Sequence, residues 1–94
     1  MTISEILKQA GESEDLALKE YATLLVLSKM SRYEVECSLL EAKYQEPFAQ
    51  FQQRIQALQD QEDFAVEDDL MDWEFADRAL RWWKERLSEI DDAV

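Results

Sequence analysis

The side chains of this 94-residue chain that could do chemistry are carboxylates, and they crowd into one block. Residues 60–77 hold nine acids and no base, among them Glu67, Asp68, Asp69 and Asp72. On a helix, Asp68 and Asp72 lie one turn apart on a common face, with Asp69 beside them. Oxygen ligands at that spacing suit Mg²⁺. All-α nucleotide pyrophosphohydrolases hold Mg²⁺ on paired helices in this manner, but the Glu-Glu-x-x-Glu run their pattern requires is absent. Acids in the first turn of a helix are also what its dipole favours, and that plainer reading outranks a metal-dependent hydrolase.

Other routes to catalysis are thin. The chain has no His, which removes imidazole bases and ligands. With one Gly there is no glycine-rich phosphate loop. The single Cys37 is flanked by Glu34, Glu36 and Glu41, which raise a thiol pKa rather than activate it. The expectation is a protein that is not an enzyme and needs no cofactor.

The carboxylate block opens a long helical pattern. Val66, Leu70, Trp73, Ala76, Leu80, Trp83, Leu87, Ile90 and Val94 recur at spacings of three and four, which gather them on one face. A second stripe, Met71, Phe75, Ala79 and Trp82, runs beside the first. Two stripes make this helix apolar over more than a third of its girth, so it should meet more than one neighbour. Trp73 and Trp83 read as core. Phe75 and Trp82 read equally well as core and as anchors of an interface.

Upstream, Thr2 and Glu5 have the spacing of a capping box, and Gly11 stands where a left-handed helix end is needed. A short helix is expected over 3–10. Ser13 then caps a helix over 14–44, about 45 Å long at 1.5 Å per residue. Its heptad stripe is Val26, Met30, Tyr33, Cys37, Leu40 and Tyr44, while Leu24, Leu25, Val26 and Leu27 point in four directions. A helix so long in so small a protein suggests a homodimer, with Leu24, Val26, Met30, Tyr33, Cys37 and Leu40 at its interface. Pro47 opens a helix over 47–59 with Phe48, Phe51, Ile55 and Leu58 on one face. The loop expected next is 60–65, before a last helix over 66–90. The fold class is all-α: one domain of four helices, a bundle completed by a second copy.

A net charge of −12 excludes the basic footprint a nucleic-acid binder needs and disfavours an anionic membrane surface. It favours a basic partner instead, whose approach an acidic field speeds. The first residues lack the apolar run of a signal peptide, and no apolar run is long enough to span a bilayer. A lone cysteine gives no disulfide framework, so the expected location is cytoplasmic.

The second half of the chain resembles small acidic prokaryotic proteins encoded beside toxin genes. The likeness rests on the aromatic heptad helix ending in Lys43-Tyr44, then Phe48 and Phe51, then Glu62-Asp63-Phe64 and the run from Asp68-Asp69 to Trp73-Glu74. It covers about residues 32–90. The resemblance implies an antitoxin of a type II toxin–antitoxin pair, neutralising a basic toxin by covering its active surface. Residues 1–31 do not read as a ribbon–helix–helix or a basic helix-turn-helix. The expected partner-binding residues are Glu67, Asp68, Asp69, Met71, Asp72, Phe75 and Trp82. A homodimeric scaffold is the alternative, and a Mg²⁺-dependent nucleotide hydrolase the more distant one.

Overall fold

Helix ends in this chain are set by short local signals. In the computed structural model, which describes residues 1–58 and 63–93, four helices follow one another: α1 (Ile3–Gln9), α2 (Glu14–Tyr44), α3 (Phe48–Ala57) and α4 (Phe64–Asp92). Thr2 Oγ1 accepts the Glu5 N–H at 3.1 Å and starts α1. Gly11, at φ 76°, ends it in the left-handed region, where a residue without Cβ is least strained. Ser13 Oγ then accepts the Leu16 N–H and starts α2, with Glu14 and Asp15 in the first turn. At its far end Gln45 turns left-handed, at φ 56°, while its N–H still reaches Glu41 O. Pro47 is the cap residue before α3 rather than its first helical residue. The expected end of that helix at Gln59 lies outside the described residues.

The last helix begins two residues before the expected Val66. Asp63 is the reason: its carboxylate accepts from both Ala65 and Val66 N–H, and so draws Phe64 and Ala65 into the first turn. At the other end the helix runs on to Asp92.

α2 and α4 form an antiparallel hairpin. Lys19 Nζ reaches Ala93 O at one end, Tyr33 meets the Phe75 ring midway, and Lys43 pairs with Asp69 at the other end. α3 lies across the closed end, where Phe48 and Phe51 pack on Trp73 with ring centroids 5.4 and 5.2 Å apart. Tyr44 completes this cluster, 4.2 Å from Phe51. Among the described residues, those buried from solvent are Val26, Phe51, Trp73 and Ala76. The molecule measures 65 × 26 × 19 Å. Its radius of gyration is 19.7 Å, against about 12 Å for a compact chain of this length.

This arrangement corrects the expected dimer interface. The stripe of Val26, Met30, Tyr33, Cys37 and Leu40 faces α4 of the same chain: Val26 is buried and the other four are half-buried. Leu24, on the other side of the helix, is exposed. A helix of nearly equal length tethered through α3 is present at a high effective concentration, and it takes the stripe before a second chain can. Among the described residues, no helix is long and apolar enough to cross a membrane.

Candidate protein-binding face

The seven acids of the block that lie among the described residues, Asp63 to Asp77, do not act as one patch. Asp63 is spent on the N-cap of α4. Glu74 and Asp77 hold Arg78 and Arg81 one turn further on, at 2.6 and 2.8 Å. Asp69 turns toward α2, where it accepts from the Lys43 ammonium at 2.6 Å and from the Tyr44 hydroxyl. The Lys43 hydrogen bond, then that of Tyr44, holds the Asp69 carboxyl below the usual carboxylate range. Burial, then the bond to Asp69, pushes the Tyr44 phenol up. Asp69 is therefore part of the clasp between α2 and α4. Glu67, Asp68 and Asp72 are exposed and make no ion pair among the described residues.

The apolar members of the expected site fall together. Met71 is 69% exposed, Phe75 63% and Trp82 49%. They lie on the face of α4 turned away from Trp73 and α3. Phe64, 71% exposed, extends the same line at seven residues before Met71. It lay in the expected loop, and the signal that places it on the helix is the Asp63 cap. Asp68 falls between Phe64 and Met71 at heptad spacing, so the outward stripe alternates aromatic, acid, apolar. Phe75 touches the edge of Tyr33 at 6.0 Å, but most of its ring remains in solvent. Trp82 stands perpendicular to Trp83, and the Arg86 guanidinium lies over it, 4.6 Å from the ring centroid. Arg86 pairs with both Glu85 and Glu89, each at 3.2 Å.

This face presents exposed carboxylates and aromatic rings side by side. Among the described residues, no three His, Cys, Asp or Glu side chains converge to hold a metal ion. Asp68 and Asp72 share a face, but Asp69 points to Lys43 and Tyr44. Cys37 is half-buried in the α2–α4 seam. Burial first, and the Asp77 carboxylate across the seam second, push its thiol up, so it stays protonated at neutral pH. A groove beside Phe75, lined by Arg32, Tyr33, Glu36, Leu39 and Asp72, is open along one side of the hairpin. Comparison of the chain with protein-family models, curated proteins and solved structures returned no match.

Proposed function

We propose that the protein is a non-enzymatic binding module that grips a basic protein through the outward stripe of α4. The observation that carries this reading is the stripe itself: Phe64, Met71, Phe75 and Trp82 exposed in line, with unpaired Glu67, Asp68 and Asp72 among them. A monomer that leaves several large apolar side chains aligned in water marks a surface awaiting cover. Fully burying a side chain of this size is worth about 1.5–3 kcal/mol. The three free carboxylates would steer a cationic partner and fix its register more than they would add affinity.

The resemblance to acidic prokaryotic proteins encoded beside toxin genes points to an antitoxin, and the partner to a cationic toxin whose phosphate-binding surface the carboxylates would cover. Co-expression with the product of the adjacent gene is the test. The antitoxin reading requires that product to arrest growth alone, and requires this protein to relieve the arrest and bind it stoichiometrically. Phe75→Ala with Trp82→Ala should then weaken binding about a hundredfold or more, from roughly 3 kcal/mol lost at the two anchors. Glu67→Gln with Asp68→Asn and Asp72→Asn should slow association at low salt and matter little at high salt. Unchanged affinity in the aromatic double variant would refute the face.

A further inference from the structure

A second heptad stripe runs the length of α2 on the flank beyond the stripe of Val26, Met30 and Cys37, with Leu18, Arg32 and Leu39 at the edges of the grooves beside α4. It consists of Leu18, Tyr21, Leu25, Val35 and Leu39, all exposed, with Ser28, Arg32 and Ala42 filling the remaining positions at spacings of three and four. Spacing of this kind over 25 residues forms the seam of a helix pair, yet no helix of this chain covers it. We infer that a second copy of the chain docks here, with the two α2 helices antiparallel about a two-fold axis between Ser28 and Arg32.

Three observations select this occupant. The first is area. The chain exposes 7299 Å², whereas a compact monomer of 11.1 kDa exposes about 5,700 Å². The excess of about 1,600 Å² is roughly twice what one partner buries in a standard interface of about 800 Å². It accommodates a self-interface on α2 as well as a separate one on α4.

The second is charge. Residues 18–43 carry four bases and four acids, so this length of α2 is neutral as a whole although the chain carries −12. A second copy can approach α2 without the repulsion that the acidic half of α4 would impose.

The third is the fit of the stripe to its own reverse. In a parallel pair Arg32 would stack on Arg32 of the other copy. Reversed, it meets Ser28, while Leu18 meets Ala42, Tyr21 meets Leu39 and Leu25 meets Val35, each a large residue against a smaller or similar one. Lys29 and Glu36 flank the seam on the side of α4, each one residue after a seam position. Because side chains lean toward the N-terminus of their own helix, the reversed pairing brings Lys29 of one copy to Glu36 of the other, twice. Lys29 makes no ion pair among the described residues, and Glu36 has only the exposed Arg32 at 3.7 Å. This inference does not depend on the α4 reading.

Sedimentation equilibrium of the full chain over a wide concentration range tests it. The wild type should be dimeric. Leu39→Glu should raise the dimer dissociation constant about a hundredfold or more with helicity unchanged, because Leu39 is exposed in the monomer. Lys29→Glu and Glu36→Lys should each raise it about tenfold, and the two together should restore it. A strictly monomeric wild type, or a dimer indifferent to Leu39→Glu, would overturn the interface. Failure of the double charge variant to recover would overturn the antiparallel register. Trp82→Ala, outside the groove that Leu39 shares with Phe75, should leave the dimer intact, which separates this interface from the one on α4.

Discussion

Phe51 is the side chain on which the closed end of the hairpin depends. It is fully buried, with 0% of its surface exposed, between Tyr44 at 4.2 Å and Trp73 at 5.2 Å. Phe51→Ala removes the buried ring and leaves a cavity walled by two aromatic rings and by α3. The transfer and cavity terms for such a change sum to about 3–5 kcal/mol. Lost ring–ring contacts, about 0.5–1.5 kcal/mol per pair, favour the upper part of that range. A 94-residue protein has a total stability of about 5–14 kcal/mol, so this one substitution should remove roughly a fifth of it or more. Urea denaturation followed by tryptophan fluorescence measures the loss, because Trp73 sits in the cluster. A thermal melt should fall by roughly 20 °C, taking about 4–8 °C per kcal/mol for a domain of this size. A loss below about 1 kcal/mol would mean that α3 is not held by this cluster, and the account of the closed end would fail.

Other expectations are smaller in scale. Asp69→Asn should destabilise the protein at neutral pH through loss of the ion pair with Lys43. The Asp69 pKa is lowered on folding, so its contribution is fully present above about pH 4, the unfolded value, and disappears as pH falls through the folded value. Wild-type and Asp69→Asn melting temperatures should therefore converge in acid, and a gap that persists at low pH would contradict the clasp. Gly11→Ala should cost about 1 kcal/mol, purely from its left-handed backbone at φ 76°, since an added Cβ there meets nothing within 4 Å. Cys37 should react with thiol reagents more slowly than a free cysteine at neutral pH and speed up as pH rises, a profile that absorbance assays read directly.

Helix ends were legible in the sequence because each rests on residues within one turn: Thr2, Gly11, Ser13 and Pro47 act on their neighbours alone. The start of α4 was misplaced for an instructive reason. Asp63, Phe64 and Ala65 all read as loop residues by composition, and only the two hydrogen bonds that Asp63 accepts from Ala65 and Val66 N–H make Asp63 the cap. Which stripe meets which partner was not legible. The spacing of Val26, Met30, Tyr33, Cys37 and Leu40 is the same whether α4 or another chain covers it, and only the reversal of the chain through α3 decides. The outward stripe of Leu18, Tyr21, Leu25 and Leu39 was equally present in the spacing, but four adjacent apolar residues at 24–27 hid its period. In the acidic block, charge alone could not separate Asp69, bound to Lys43 and Tyr44, from Asp68 and Asp72.

The uneven placing of the four buried residues gives the hairpin a direction. Phe51, Trp73 and Ala76 lie toward the α3 end, Val26 lies further along α2, and no residue from there to Ser13 is buried. Contact at the α3 end joins residues 25 or 26 apart in sequence, while the Lys19–Ala93 contact joins residues 74 apart. Loop closure is cheapest at the first and withdrawal from water most complete there. The two long helices should close as a zipper that starts at its latch, with the last turns near Lys19 and Ala93 the first to part. Amide protons should record this as a gradient of exchange rates along α2 and α4, slow beside Trp73 and fast toward the open end.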